Sequence, residues 1–179
     1  ISGANGLTLD ATVASGRYLF SGSKSNSYTG ATTVQGNALL ELARGGGALA
    51  IPADLTVAGQ GAVLLQAGEQ IADRATLTLA GPGPLQFAGP GMTETVGALM
   101  GPGTVGLAGS KLVVGAGGFS GQIRDNGAAG GGLEKTGSGT LRLSGANSYS
   151  GPTTLSGGIL QAGATPAFSP NSGHSAATG

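Results

Sequence analysis

Cysteine is absent from the 179 residues, which removes disulfide frameworks, thiolate metal sites and thiol nucleophiles together. Tryptophan is absent too, and the aromatics are four Phe and three Tyr. A core must therefore be built from small and medium side chains, which suits a narrow, evenly filled cross-section. Charge is scarce: eight basic and eight acidic side chains balance to zero, and 9% of residues are charged, with no run of one sign. Nucleic acid and anionic membrane surfaces both demand concentrated Lys and Arg, so neither is an expected partner. Long apolar runs are missing as well. Leu143 to Gly179 lacks Asp, Glu, Lys and Arg but is dense in Ser, Thr, Gly and Pro, far from the ~20 apolar residues of a spanning helix. No basic and apolar leader stands at Ile1, so any signal peptide is expected outside these residues.

Glycine is what the chain has in excess, 38 of 179 residues, about three times the usual ~7%. The glycines follow no period of three and Pro numbers eight, which excludes collagen. Leu and Val recur between them at strand spacing, which argues against plain low complexity. From Gly139 to Gly145, Leu141 and Leu143 share one face while Thr140, Arg142 and Ser144 share the other, the pattern of a half-buried strand. Similar runs are 6–9, 17–20, 54–57, 62–65, 75–79, 104–107, 111–114 and 158–162. Nearly all end at Gly, Asn or Pro, so strands of three to six residues separated by tight turns are expected. Gly68 to Thr76 comes nearest to a helix but is too short for one, and reads as a loop or single turn.

An internal repeat decides the architecture. Asn26-Ser27-Tyr28-Thr29-Gly30-Ala31-Thr32-Thr33-Val34-Gln35-Gly36 matches Asn147-Ser148-Tyr149-Ser150-Gly151-Pro152-Thr153-Thr154-Leu155-Ser156-Gly157 at seven of eleven positions, 121 residues apart. Units of short strands and tight turns stack. A propeller would carry aromatic or Trp-Asp signatures per blade, and an immunoglobulin-type sandwich longer strands and bulkier core residues. The small-residue core favours an all-β parallel β-helix, a solenoid with Gly- and Asn-rich turns. It is expected over residues 1–164, as one long unit (about 26–146) and part of a second. An irregular tail, 165–179, frayed or an excised boundary, follows.

Gly131-Gly132-Leu133-Glu134-Lys135-Thr136-Gly137-Ser138-Gly139-Thr140-Leu141-Arg142-Leu143-Ser144-Gly145-Ala146-Asn147-Ser148-Tyr149-Ser150-Gly151, followed by Thr153-Thr154, resembles the passenger-associated transport repeat of bacterial autotransporters. Phe119 to Ile123 resembles its lead-in, Glu94 to Val105 its intervening portion, and Ala167 to Ser172 the start of a following unit. The resemblance implies a right-handed parallel β-helix carried to the surface of a Gram-negative cell, or secreted, by an outer-membrane barrel. The expected role is a non-enzymatic structural or adhesive stalk segment, a polysaccharide lyase or hydrolase on the same fold being the alternative. Expected partners are neighbouring coils of a parent passenger, or other copies through the solenoid ends, and a host surface or glycan. Seven aromatics cannot furnish the girdles of a membrane barrel, so this segment is not expected to insert.

No motif points to a cofactor, a metal or a catalytic residue. Gly101-Pro102-Gly103-Thr104-Val105-Gly106 satisfies G-x-G-x-x-G, but the dinucleotide fingerprint must open a helix, and here a strand is expected to follow a turn. His174 has no carboxylate within ten residues to orient it as a base, and reads as a solvated tail residue. No G-x-S-x-G elbow occurs, and no glycine pair precedes Asp at the calcium-repeat spacing. Glu69, Asp73 and Arg74, and Arg124, Asp125, Glu134 and Lys135, are the candidate groups for glycan chemistry, and mixed signs predict ion pairs within each. Thr32-Thr33 and Thr153-Thr154 resemble pieces of a threonine array but recur only once, so one member is expected inside and one outside. Asn26 and Asn147 are expected at turns, with positive φ or a bond to a neighbouring backbone group.

Overall fold

The computed structural model describes residues 1–163 and 174–176, and every regular element among them is a β-strand. These are β1 (Ser2–Gly3), β2 (Leu7–Gly22), β3 (Ser27–Tyr28), β4 (Thr32–Arg44), β5 (Leu55–Val57), β6 (Ala62–Leu65), β7 (Thr76–Leu79), β8 (Pro84–Phe87) and β9 (Thr93–Gly101). Then come β10 (Thr104–Gly106), β11 (Lys111–Phe119), β12 (Gln122–Arg124), β13 (Gly132–Lys135), β14 (Thr140–Leu143), β15 (Thr153–Leu155), β16 (Ile159–Ala162) and β17 (His174–Ala176). All pairings between them are parallel, and they wind a β-solenoid of about seven turns.

Three faces carry the strands. The first stacks the start of β2, the start of β4, then β5, β7, the ends of β9 and β11, β14 and β16. The second stacks the end of β2, the end of β4, β6, β8, β10 and β12. The third becomes regular at β9 and continues through β11, β13, β15 and β17. Below β9, among the described residues, its regular strand pairing is reduced to β1 against β3 and a single bridge, Ile51 to Ile71.

Four strands are longer than the short runs expected. β2 has 16 residues, β4 has 13, and β9 and β11 have nine each. Each turns a corner without leaving extended pairing: β2 through a register shift between Ala11 and Gly16, β4 at Gly36, which takes φ +63°. Residues 68–75 carry no regular strand, in line with the loop reading.

Period-two alternation puts one rank inward on the first face: Leu7, Thr32, Leu55, Leu77, Leu99, Gly117, Leu141 and Leu160 lie in register on successive coils. Leu55, Leu77, Leu99 and Leu141 are wholly buried, each contributing ~1.5–3 kcal/mol by removal from water. In β14 the expected faces hold: Leu141 and Leu143 lie inside, Thr140 and Arg142 outside. The glycine excess has a steric cause at the corner joining the first and second faces. A Cβ on Gly83 would sit 1.7 Å from the Gly61 carbonyl oxygen, one on Gly121 1.8 Å from that of Gly103, and one on Gly145 1.8 Å from that of Gly121. Coils stack this closely only where that corner has no side chain.

Of the tail, only His174–Ala176 falls within the described residues. Rather than lacking strand structure, these residues pair with Thr153–Leu155 on the third face. The expected resemblance at 167–172 lies outside the described residues.

Candidate functional site

The two copies of the internal repeat are corners. In the first, buried Tyr28 shares a hydrogen bond of 2.6 Å with the hydroxyl of buried Thr32, four residues on. In the second, Tyr149 and Thr153 repeat that bond at 2.6 Å. Burial raises the pKa of both phenols, so both remain neutral donors or acceptors. The glycine of each motif lies against the coil below: a Cβ on Gly30 would be 2.2 Å from the Gly6 amide nitrogen, and one on Gly151 2.4 Å from the Gly130 oxygen. Neither Asn26 nor Asn147 has positive φ, and each bonds backbone a full coil away. Asn26 Nδ2 donates to the Ala50 carbonyl (2.7 Å), and Asn147 Oδ1 accepts the Ile123 amide (2.8 Å). The preceding strands correspond as well, Ser15-Gly16-x-Tyr18-x-Phe20-Ser21-Gly22 to Ser138-Gly139-x-Leu141-x-Leu143-Ser144-Gly145.

A family model described as the passenger-associated-transport repeat matches residues 2–36 and 133–162. The chain carries this repeat twice. No curated protein and no solved structure matches the chain. The repeat is an autotransporter passenger repeat, which implies export to the surface or exterior of a Gram-negative cell. The matched segments do not include 94–105 or 119–123, where the intervening portion and lead-in were expected. Within the matched segments, the two copies of the strand-and-corner motif occupy different faces. The first runs from the second face (end of β2) through the third to the first. The second starts on the first face (β14), crosses the second, where the Ser148 amide donates to Ile123 of β12, and enters the third at Thr153.

The candidate charged groups do not form ion pairs within themselves among the described residues. Glu134 reaches across one coil to Lys111 (2.9 Å) and accepts the Ser156 hydroxyl (2.8 Å), which hold its pKa below the usual range. Lys135, its chain neighbour, points inward and is wholly buried. Its ammonium donates to the carbonyls of Thr136 (2.5 Å), Gly137 (3.1 Å) and Gly157 (3.1 Å), and burial lowers its pKa. Asp125 accepts the amides of Gly131 (3.2 Å) and Ser150 (3.0 Å), and Arg124 pairs with none of these groups, its Nε buried without an acceptor. Glu69 accepts the Thr95 hydroxyl (3.1 Å), while Asp73 and Arg74 are exposed. Local pairing fails because the true neighbours lie one coil away, at separations of 22 to 26 residues for the side-chain pairs.

Sequence reasoning missed the polar groups that matter most inside. Arg17 bonds buried Glu41 with two nitrogens, and Gln66 adds a third donor; the Arg17 bond is the main cause that lowers the Glu41 pKa. Buried Gln70 pairs its side-chain amide with the Arg44 backbone, accepting from N–H at 2.8 Å and donating to C=O at 3.1 Å. Fully buried Glu94 accepts the Gln70 and Ile71 amides at 2.9 and 2.8 Å. Burial pushes its pKa up to about 8 against the pull of those two amides, with Glu69 and Asp73 adding like charge. A polar residue at an inward strand position was the available signal for Glu94.

The threonine pairs also need correction. Thr32 and Thr153 do lie inside, with Thr33 and Thr154 on the outer side. Thr33, however, belongs to an array on four successive coils, Thr8, Thr33, Thr56 and Thr78, in register on the first face. The coils differ in length, giving steps of 25, 23 and 22 residues, so a fixed period does not reveal it. Gly101 to Gly106 is a corner followed by β10, as expected. No group of His, Asp or Glu among the described residues is placed to hold a metal, and no helix there is long and apolar enough to cross a membrane.

Beside the first repeat, at the corner joining the third and first faces, lies an open groove of about 450 Å³. It is lined by Ser27, Thr29, Pro52, Asp54 and Arg74 above the buried Tyr28. Asp54 Oδ1 accepts the Thr76 amide (2.8 Å), and no ion pair joins Asp54 to Arg74.

Proposed function

We propose that the chain is a non-enzymatic structural and adhesive segment of an autotransporter passenger, a rigid stalk that displays what it is joined to and contacts surfaces along its flank. One observation carries the reading: most carboxylates are engaged separately around the solenoid, and the one grouping of three holds no open acid–base pair. Glu41, Glu94, Asp125 and Glu134 are each engaged by a partner on another coil or corner. The nearest approach to a catalytic grouping is Glu69, Asp73 and Glu94, which feel each other's charge. Glu94 is enclosed and bonded to backbone, leaving no acid and base facing one substrate. Continuous backbone pairing and a packed leucine rank support stiffness along the axis. The repeat family supports export to the surface or exterior of a Gram-negative cell.

Incubation with polygalacturonate, alginate, xylan and chitin tests this reading. No new reducing ends and no unsaturated products are expected. Release that is abolished by Glu69→Gln or Asp73→Asn would replace it with the lyase or hydrolase alternative.

A further inference from the structure

Three successive corners form the groove beside the first repeat: residues 27–31, 52–54 and 74–75. Here the chain bends through loops, whereas at the next coil β9 passes the same corner on Gly97 alone, a Cβ on which would meet the Arg74 carbonyl at 2.6 Å. The notch therefore closes at Arg74. Its polar groups point to a ligand type. The exposed Arg74 has no hydrogen bond or ion pair among the described residues, so its planar fork of donors is open to a carboxylate. Asp54 uses one oxygen on the Thr76 amide and keeps the other for a hydroxyl donor. Exposed Ser27 can donate and accept, and exposed Thr29, whose hydroxyl donates to the Ala4 carbonyl at 3.4 Å, can accept. One cation and one anion leave the groove without net charge, which disfavours phosphate or sulfate relative to a ligand with a single carboxylate among several hydroxyls. The volume lies within the ~300–1,000 Å³ of small-molecule sites.

The threonine array supplies an independent second element. Asp54, just before β5, and Thr76, at the start of β7, stand two residues before Thr56 and Thr78, so the groove opens onto the outer hydroxyls of the first face. Those rungs repeat at the ~4.8 Å spacing of paired strands, a row of donors and acceptors running along the axis.

We propose that this groove and the adjoining threonine row bind an acidic oligosaccharide, with one uronic acid unit seated at Arg74 and Asp54 and its neighbours along Thr56 and Thr33. The site deepens the adhesive reading and rests on it in one respect: the sugar is held and not cleaved.

Titration of the isotopically labelled chain with trigalacturonate, followed by amide chemical shifts, tests the proposal. Saturable shifts are expected at residues 27–31, 52–56 and 74–78, with no new reducing ends. Arg74→Gln, exposed and unpartnered and so expected to leave the melting curve unchanged, should weaken binding about tenfold or more, the worth of a charge-assisted contact. Thr56→Val should weaken it a few-fold. Absence of saturable shifts, equal affinity in Arg74→Gln, equal affinity for the fully methyl-esterified trimer, or displacement by equimolar inorganic phosphate would each overturn the site. Binding together with cleavage would leave the groove standing and overturn the non-enzymatic reading.

Discussion

The corners at Asn26–Thr32 and Asn147–Thr153 are built alike and placed differently. Each has a buried Tyr bonded to a buried Thr four residues on, a Gly pressed against the coil below and an Asn bonded one coil away. Yet the first leads from the third face to the first, and the second from the second face to the third. The motif therefore specifies how the chain turns and not which face it turns from. Between them the same duties fall to other residues: Gln70 and Glu94 make the cross-coil bonds that Asn26 and Asn147 make in the repeats.

Gly30→Ala and Gly151→Ala should break the equivalence if anything does. Both place a methyl group inside contact distance of fixed backbone, so each should cost about 3 kcal/mol or more, at the upper end of overpacking effects. Urea melts check this. Equal losses sharpen the comparison, and a much smaller loss for Gly30→Ala would show that the first corner can shift where the second cannot.

That equivalence was partly legible in the sequence. The Asn-Ser-Tyr-x-Gly-x-Thr-Thr order and the alternation around Leu141 are short-range signals, and from them follow the all-β solenoid, inward Leu141 and Leu143, and one inward member of each threonine pair, though not which member. Partners across coils were not legible. Lys111 meets Glu134 and Arg17 meets Glu41 because coils of unequal length bring them into register, and a reader of adjacent residues pairs Glu134 with Lys135 instead. The Thr8, Thr33, Thr56 and Thr78 row and the groove at Arg74 stayed hidden for the same reason.

The cross-coil bonds between the two corners should respond to pH where the Asn bonds of the corners do not. An Asn keeps its hydrogen bonds at any ordinary pH, whereas Glu94 is held protonated up to about 8 in the folded chain and ionises near 4.5 when exposed. Between those values the folded state binds more protons than the unfolded one, so Glu94 makes stability fall as pH rises from about 4.5 to about 8 and then level off. Glu69, also raised by burial, adds a contribution of the same sign. Glu94→Gln should flatten the profile across that window while lowering stability at pH 5, because an amide presents only one acceptor to two N–H groups. Identical slopes for the two proteins would refute the assignment.

A smaller effect tests the shared bond itself. Tyr28→Phe and Tyr149→Phe each remove one hydroxyl from a buried pair and leave a threonine oxygen without its partner, at about 1–2 kcal/mol. Thermal melts of the two variants should agree. A loss confined to Tyr149→Phe would mean that Thr32 finds a second partner.

The smallest effect separates the copies by use instead of by build. Ser27 and Ser148 are identical members of the motif, and nothing in the structure explains that identity: both are exposed, their backbone amides donate to the Ile1 and Ile123 carbonyls at 2.9 Å, and neither side chain makes a hydrogen bond among the described residues. Neither hydroxyl has a partner to lose, so Ser27→Ala and Ser148→Ala should each change stability by about 0.5 kcal/mol or less. A loss of 1 kcal/mol or more in either would show that the hydroxyl holds the corner. The two should part in titrations with trigalacturonate. Ser27 lines the groove at Arg74 and Ser148 does not, so Ser27→Ala should weaken binding a few-fold while Ser148→Ala leaves it unchanged. Equal weakening by both would place the sugar contact on the motif and not on the groove.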